Sequence, residues 1–400
     1  RRTSDYNRED QEGVGYFQMT MKNGRRCSSA AAYLKPVRHR QNLQIFTGAH
    51  TEKLLINHHR ATGVRCRVNG KSVDITARHE VILSAGSIGS PQLLMLSGIG
   101  DAAALQTHAI DVVHHLPGVG KNLQDHLQAR PVFKCTSSTI NTESRNIFHL
   151  TKMAVQYAAR RSGPMAMAAS LGTGFLKSRP ELETPDIQFH IQPFSADNPA
   201  DGSHRFSAFT ASVLQLRPES TGHIMLRSAS ANDYPAIYPN YLATKTDCDT
   251  IVAGIKMARD ICDYDPLKGL ITTEHAPGTA IGRDDDDAIL DWARSTATTI
   301  YHPTGTCKMG QDQMAVVDSR LRVHGLSGLR VADASIMPKI TSGNTNAPTI
   351  MIGAKCSDMV LEDMRGHCQN SAACSLIWRP LATFYKLSLP ISFCRVTMLW

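Results

Sequence analysis

The feature that most constrains this fold is a short apolar strand followed closely by the start of a helix. Residues Leu329–Val331 are predicted to form a buried strand, and Asp333 lies just past its carboxyl end. In open α/β sheets, ligands bind at the carboxyl ends of the strands. The sequence Asn346-Ala347-Pro348 then predicts a helix start, because Asn can cap a helix and Pro is favoured in its first turn. Such a start directs backbone N–H groups and partial positive charge outward, which suits an anionic ligand.

A histidine lies upstream of this segment, in the loop Tyr301-His302-Pro303-Thr304-Gly305-Thr306. The chain has 17 histidines, and most of them are expected to be surface or core residues. Taken alone, His302 would therefore favour a structural role. Its position in this loop, upstream of two ligand-facing segments, favours a catalytic one instead. Histidine titrates near neutral pH, which suits a general base.

A second α/β segment is predicted at residues 81–100. Val81–Leu83 is predicted to be a buried strand that ends at Ala85-Gly86, and Ser90-Pro91 predicts a helix start. The residues Gly98-x-Gly100-x-x-Ala103 fit a dinucleotide-binding fingerprint. That fingerprint must lie between the end of a strand and the start of a helix. These glycines follow the predicted helix, so we interpret them as its stop.

The middle of the chain predicts an antiparallel sheet and two helices. Strand-like runs separated by turn residues occur between about residues 131 and 245: Asp186–Gln192, Phe206–Leu216 and Gly222–Leu226. Asp249–Cys262 carries apolar residues at the spacing of an amphipathic helix. The acidic run Asp284–Asp287 suits the first turn of a second helix, and we interpret it so rather than as a metal site. Nearer the amino terminus, Asn69-Gly70 predicts a hairpin.

Composition excludes several classes of protein. The net charge is +8, but Lys and Arg are spread thinly and their densest groups lack interleaved aromatic residues, so nucleic-acid binding is not expected. The ten cysteines contain no C-x-x-C pair, and we predict no metal site. No G-x-S-x-G motif is present to indicate a serine hydrolase. The cysteine count favours a reduced, cytoplasmic setting, and peripheral membrane association stays open.

Several motifs, taken in order, resemble the glucose-methanol-choline (GMC) family of flavin oxidoreductases. Three look like its carboxyl-terminal signatures: His302-Pro303-x-Gly-Thr-Cys-Lys-Met-Gly, Val331-x-Asp-Ala-Ser-Ile-Met-Pro and Gly343-Asn-x-Asn-Ala-Pro-Thr. Ser84-Ala-Gly-Ser-Ile-Gly-Ser-Pro resembles another signature, and Gly118-Val-Gly-Lys-Asn-Leu-Gln-Asp-His126 follows it as in the family. In their residues and order, these motifs are most similar to those of choline dehydrogenases and related FAD-dependent alcohol dehydrogenases.

The resemblance implies an α/β FAD-binding (Rossmann-like) domain, incomplete here, together with an α+β substrate domain that contains an antiparallel sheet. Residues 1–130 and 299–365 would form the FAD-binding domain, residues 131–298 the substrate domain, and residues 366–400 an atypical tail. The glycine loop that holds the cofactor phosphates in the family has no counterpart in this sequence. The chain is therefore expected to be truncated at its amino terminus, and a non-catalytic fragment is the alternative to an active enzyme.

The resemblance also implies a reaction. The expected activity is FAD-dependent oxidation of a choline-like or aliphatic primary alcohol to the aldehyde, with oxygen, a quinone or another carrier as the electron acceptor. His302 would be the base, and Asn346 would be its hydrogen-bonding partner. The remaining residues would contact FAD: Thr51, Ser84, Ala85, Gly86, Asp333, Ala334, Asn344, Ala347 and Pro348.

Overall fold

The computed structural model describes residues 1–197 and 202–369. Its strands, in chain order, are β1 (Gly13–Tyr16), β2 (Met21–Lys22), β3 (Arg25–Arg26), β4 (Ala49–Asn57), β5 (Arg60–Val68), β6 (Lys71–Thr76), β7 (Val81–Leu83), β8 (Ile99–Gly100), β9 (His114–His115), β10 (Leu127–Ala129), β11 (Val132–Cys135), β12 (Gly172–Leu176), β13 (Ile187–Gln192), β14 (Ala208–Gln215), β15 (His223–Met225), β16 (Ala236–Tyr238), β17 (Ile271–Ala276), β18 (Thr298–Thr299) and β19 (Leu329–Val331). Its α-helices are α1 (Lys35–Val37), α2 (Gly86–Leu96), α3 (Ala102–Gln106), α4 (Ile140–Glu143), α5 (Ile147–Arg160), α6 (Lys245–Cys262), α7 (Asp286–Thr296) and α8 (Asn346–Gln369). Shorter helical turns include Ala30–Leu34, Pro164–Ala166 and Ala334–Ile336.

The predicted antiparallel sheet is confirmed, and within the described part of the chain it has eight strands. Its path runs β1, β12, β13, β14, β10 and β18, and β11 pairs with both β14 and β17. Helix α6 packs on β14 so closely that a Cβ on Gly254 would lie 2.3 Å from Cγ1 of Val213. The absence of a side chain at Gly254 is what allows this close contact between helix and sheet.

The two faces of β13 have different environments. Ile187 and Phe189 belong to the apolar core that includes helix α6. Because successive side chains of a strand point to opposite faces, Gln188 and His190 project from the other face. Both are buried polar residues, so this face of the sheet presents hydrogen-bonding groups within the molecule.

The α/β lobe is built on a parallel pair of strands, as the sequence predicts. β7 and β19 pair from Val81 opposite Leu329 to Leu83 opposite Val331. Leu83, Leu329 and Val331 are buried, whereas Ile82 is 43% exposed. The expectation of a fully buried strand at Val81–Leu83 was therefore wrong, because β7 buries its alternate residues on one face only.

Helix α2 begins earlier than the sequence predicts. It starts at Gly86 and includes Pro91, which was expected to open it. Proline lacks the N–H that would bond to the carbonyl four residues earlier, which is that of Ser87. The hydroxyl of Thr306 donates to this carbonyl instead, at 2.7 Å. The prediction was wrong because a loop distant in sequence satisfies the group that Pro91 leaves unpaired.

Other local predictions are confirmed. Asn69-Gly70 turns the chain between β5 and β6, and Val68 pairs with Lys71. The two predicted helices are present as α6 and α7, each with an N-cap side chain, Thr244 and Asp285, that accepts from the first turn. The strand predicted at Gly222–Leu226 is present as β15, but it pairs with β16 in a separate two-stranded sheet.

The strands of the antiparallel sheet come from more than one of the predicted segments. β1 lies in the segment 1–130 but pairs with β12 of the antiparallel sheet. β10 and β18, at the two predicted borders, also join that sheet. Helix α8 continues past the expected start of the tail at residue 366, and residues 370–400 lie outside the described part of the chain. No helix in the described ranges is long and apolar enough to cross a membrane.

A buried arginine connects three segments of the α/β lobe. Arg330, in β19, is 3% exposed. Its guanidinium donates to Glu80 at 2.7 Å, to the carbonyl oxygen of Arg320 at 2.7 Å, and to Asp363 of α8. Burial opposes the charge, but the bonds to Asp363 and Glu80 outweigh it, so the pKa of Arg330 is raised. Arg330 therefore fixes the end of α8 against the parallel strands.

Arg330→Met should lower the free energy of unfolding by about 3 kcal/mol, because it leaves Glu80 without its cation, while Asp363 keeps its ion pair with Arg320. Urea unfolding followed by circular dichroism would measure the loss. Arg294→Met is the matched control, because Arg294 forms an exposed ion pair with Asp291 and should change stability by less than about 1 kcal/mol. Equal losses in the two variants would contradict the role assigned to Arg330.

Candidate active site

Two buried histidines come together from segments that are distant in sequence. His302, in the loop after β18, is 8% exposed, and His126, just before β10, is fully buried. Their Nδ1 atoms lie 3.0 Å apart. Nε2 of His126 lies 3.1 Å from the carbonyl oxygen of Leu216. The sequence analysis selected His302 but not His126, because no local signal indicates which histidines meet in the fold.

These contacts determine which nitrogen of His302 carries the proton. The carbonyl of Leu216 can only accept, so Nε2 of His126 donates to it. In a neutral His126, Nδ1 then has a free lone pair and accepts from the Nδ1–H of His302. A neutral His302 consequently has its own lone pair at Nε2.

Asn344 holds the other side of the His302 ring. Its Nδ2 lies 3.1 Å from Nε2 of His302, and its Oδ1 accepts from Nε2 of Gln188 at 3.3 Å. Because the carbonyl end of the amide is engaged by Gln188, its NH2 group faces the imidazole. Asn346 had been expected in this position, but it begins α8 and donates to Oγ1 of Thr20 at 3.2 Å. In this structure the hydrogen-bonding partner of His302 is Asn344, whereas Asn346 lines the smaller cavity together with His302.

Burial keeps this group of histidines neutral. Desolvation lowers the pKa of His302 to about 2 and that of His126 to about 4. It also lowers the pKa of His190, on β13, to about 3. For His302 and His190, neighbouring histidines contribute to this lowering of the pKa. A neutral imidazole can accept a proton, but the same burial makes the resulting imidazolium unfavourable.

A buried carboxylate anchors the backbone of both histidine segments. Oδ1 of Asp125 accepts the backbone N–H of His302 and that of His126, each at 2.9 Å. Its Oδ2 accepts from the hydroxyl groups of Tyr241 and Thr299. Burial raises the pKa of Asp125, and these hydrogen bonds oppose that shift. Asp125 thus fixes the loop, while His126 and Asn344 fix the imidazole ring itself.

His302 and Asn344 line two cavities at once. The larger has a volume of about 590 Å³ and is bordered by β10, β13 and the end of α7. The smaller has a volume of about 400 Å³ and is bordered by Thr345–Ala347 at the start of α8. Ala347 and Pro348 also line a third cavity, of about 410 Å³, together with Tyr6. Groups held in two different cavities can therefore reach the same imidazole.

The residues predicted to contact a cofactor fall into two groups. The first surrounds Asp333, which accepts the backbone N–H of Gly86 at 3.0 Å and the hydroxyl of Ser90 at 2.6 Å. Ser84 donates to the carbonyl of Ala332 at 3.1 Å, so the turn that also contains Ala85 lies against the segment that leads to Ala334. The second group, beside His302, contains Asn344, Ala347 and Pro348. Thr51 belongs to neither group, because it lies in β4 with its hydroxyl 3.5 Å from Sγ of Cys66.

One set of potential metal ligands lies apart from the histidine pair. Asp197, His204 and His275 place three ligand atoms within 4.8 Å of one another. Nε2 of His204 already lies 3.1 Å from Oδ2 of Asp197, and its ring stacks on Phe206. The ammonium of Lys134 lies 4.5 Å from the centre of that phenyl ring. A cation so close to the set disfavours a second one, so we assign no metal there.

Comparison with known proteins identifies the family that this chain matches. Family models described as "GMC oxidoreductase" match residues 1–128 and 218–353, which together make up more than half of the chain. These matches confirm the resemblance seen in the sequence motifs. They also confirm the fold class, an α/β part combined with a lobe built on an antiparallel sheet.

Curated relatives and a solved structure agree with the family match. An "Alcohol dehydrogenase [acceptor]" of Pseudomonas putida is 43% identical over 360 residues, which is 89% of this chain and 65% of that protein. An "Oxygen-dependent choline dehydrogenase" of Brucella ovis is 40% identical over 364 residues, 90% of this chain and 65% of that protein. The structure of pyridoxine 4-oxidase from Mesorbium loti has a TM-score of 0.76 and 28% identity, and the match covers 87% of this chain and 64% of that one. This chain thus spans 65% of the length of these curated relatives.

The buried histidines predict a loss of stability in acid. Their pKa values are lower in the folded protein than the value of about 6.5 expected in the unfolded chain, so only the unfolded state binds protons as the pH falls below 6.5. Their contribution is complete above pH 6.5 and should fall by about 2 kcal/mol per histidine between pH 7 and pH 5. Urea unfolding at a series of pH values measures this. His302→Gln should remove about one third of the loss, and a pH dependence identical to that of the parent would contradict the assignment.

Proposed function

Because the chain belongs to the GMC oxidoreductase family, we propose that it oxidises an alcohol to the aldehyde with FAD as cofactor and His302 as the base. The observation that carries the proposal is the lone pair on Nε2 of His302, fixed by His126 and Asn344 beside a cavity of about 590 Å³. Alcohol oxidation needs a proton acceptor at the hydroxyl and a hydride acceptor at the carbon, and a positioned neutral imidazole supplies the first.

Each polar residue around His302 has a distinct role in this reaction. The substrate hydroxyl would displace the NH2 group of Asn344 from Nε2 of His302, to which it is hydrogen-bonded at 3.1 Å, so that both groups contact the oxygen. His302 would take the proton, and Asn344 would donate a hydrogen bond to the oxygen as negative charge develops there. His126 would act as a positioning residue, because its Nδ1 accepts the Nδ1–H of His302 and so keeps Nε2 unprotonated. FAD, when bound, supplies the acceptor for the hydride.

The residues around the site fit part of the FAD cofactor. The first N–H groups of α8 have no acceptor within the helix, and α8 begins at the smaller cavity that His302 also lines. This helix start would stabilise negative charge on the flavin ring, with Ala347 and Pro348 beside it. A Cβ at Gly86 would meet nothing within 4 Å, so the turn at Ser84–Gly86 is open to a ligand. Asp333 would hold that turn, since its carboxylate is already occupied by protein donors.

Two features of the reaction are left open by this proposal. The substrate is a choline-like or an aliphatic alcohol, in line with the names of the relatives. The electron acceptor is oxygen, a quinone or another carrier. We propose a cytoplasmic setting, with peripheral membrane association as the alternative.

A non-catalytic fragment is the second candidate. In the described part of the chain, the parallel sheet at the site has only β7 and β19, and no turn of the G-x-G-x-x-G type links a strand to a helix. Such a turn holds the cofactor pyrophosphate through backbone N–H groups. We therefore expect the chain expressed alone to retain little FAD after gel filtration. Stoichiometric flavin absorbance in the protein peak would contradict this and favour the enzyme.

The roles of the two asparagines can be separated by mutation. His302→Ala should slow reduction of bound FAD by about 10² to 10⁴, and Asn344→Ala by about 10². Asn346→Ala should cost less than Asn344→Ala, because its amide contacts Thr20 rather than the imidazole. Anaerobic stopped-flow absorbance of the flavin measures these rates with a primary alcohol. If the chain alone retains no FAD, the part of the Pseudomonas putida relative that this chain does not match is fused to it. A larger loss in Asn346→Ala than in Asn344→Ala would refute the assignment.

The positioning role of His126 predicts a difference between two substitutions. His126→Phe removes the acceptor for the Nδ1–H of His302 and should slow flavin reduction by about 10-fold to 100-fold. His126→Gln should recover most of the rate, because its amide can donate to Leu216 and accept from His302 at the same time. The pH dependence of the reduction rate should shift in the Phe variant and not in the Gln variant. Equal effects of both substitutions would indicate a role in packing alone.

A further inference from the structure

The larger cavity contains one embedded cation, and we propose that this residue, Arg130, binds a carboxylate or similar anionic group carried by the alcohol substrate. The inference rests on the proposed function, and it favours aliphatic alcohols that carry an acid group, which are hydroxy acids, over the choline-like alternative. Arg130 follows β10 and lines the same cavity as His302 and Asn344. A substrate held at Arg130 could therefore place its hydroxyl group at the imidazole.

Arg130 has little of the pairing that a partly buried guanidinium normally requires. Its one hydrogen bond is long, 3.4 Å from Nη2 to Oε1 of Gln192. Its Nε is buried without a hydrogen-bond partner among the described residues, and none of their carboxylates lies within 4.0 Å of the guanidinium. An arginine whose five N–H donors have so few acceptors is suited to bidentate binding of a carboxylate.

Other residues that line the cavity also favour an anionic ligand. Asp197 is the other charged residue that lines it, but its side chain is 83% exposed and contacts His204. Burial lowers the pKa of Arg130 and Asp197 opposes this at a distance, yet a guanidinium remains charged at neutral pH. The amide nitrogen of Gln128, which can only donate, is also buried in this wall without a partner among the described residues. A surplus of donors favours a ligand rich in acceptors.

The same arrangement disfavours a cationic alcohol such as choline. Aromatic rings at Phe17, Phe194 and Trp292 line the cavity and could attract an ammonium group. However, no embedded carboxylate accompanies them among its lining residues, and repulsion between two like charges in a partly desolvated cavity is stronger than a single cation–π contact. We therefore expect the order of affinity to be hydroxy acid, then neutral diol, then amino alcohol.

Three ligands of equal length test this order: 6-hydroxyhexanoate, 1,6-hexanediol and 6-aminohexan-1-ol, with 4-hydroxybutanoate as a shorter acid. Isothermal titration calorimetry on the unmodified chain should give the acids at least about tenfold tighter binding than the diol. Arg130→Gln should abolish that preference, and Arg130→Lys should retain part of it. Arg227→Gln is the control, because Arg227 is exposed and does not line the cavity.

The outcomes separate this inference from the proposed function, because binding can be measured without FAD. Acid binding that depends on Arg130 supports the subsite, even if no alcohol reduces the flavin and the proposed function fails. Equal binding of acid and diol to the unmodified chain overturns the subsite, even if alcohols are oxidised. A preference for the acid that survives in Arg130→Gln also overturns it. The comparison on the unmodified chain needs no variant, so it stands if Arg130→Gln does not fold.

Discussion

The chemistry of this site depends on an acceptor that cannot donate, the backbone carbonyl of Leu216. It forces the proton of His126 onto Nε2, and every later step in the hydrogen-bond chain then has a fixed direction. His302 donates through Nδ1 and keeps its lone pair at Nε2, where the amide of Asn344 meets it. Gln188 orients that amide from β13. The state of the base is thus set by a residue of the antiparallel sheet lobe that lines none of the three cavities around the site.

Hydrogen bonds to the backbone also make segments that are distant in sequence depend on each other. Asp125 fixes the backbone N–H groups of His126 and His302 with one oxygen, so the loop and the strand entry are positioned together. The hydroxyl of Thr306 completes the hydrogen bonding of α2 where Pro91 interrupts it. A change in the 302–306 loop would therefore affect both the imidazole and the helix behind it. Loops that carry function are often variable, but this one is bound at both ends to buried partners.

Sequence patterns predict what is local in this molecule. The hairpin at Asn69-Gly70 and the helices α6 and α7 follow from turn chemistry and apolar spacing, and both were confirmed. Two of the differences involve partners distant in sequence, which no local pattern encodes. Pro91 lies inside a helix because Thr306 compensates, and Asn344 rather than Asn346 meets His302 because the chain turns into α8 between them. A motif that contains two asparagines cannot by itself indicate which one faces the site.

The proposed anion subsite and the low pKa of His302 are physically linked. Desolvation is the main reason that the pKa of His302 lies near 2, so in the absence of other charge its imidazolium would be unfavourable. A carboxylate held in the same cavity at Arg130 adds negative charge where His302 must become positive, and opposite charge favours the charged form. A cationic substrate would have the reverse effect. The charge of the substrate would therefore alter not only its binding but also the ability of His302 to take the hydroxyl proton, so a hydroxy acid and a neutral alcohol of equal length should differ in the rate of proton removal as well as in affinity.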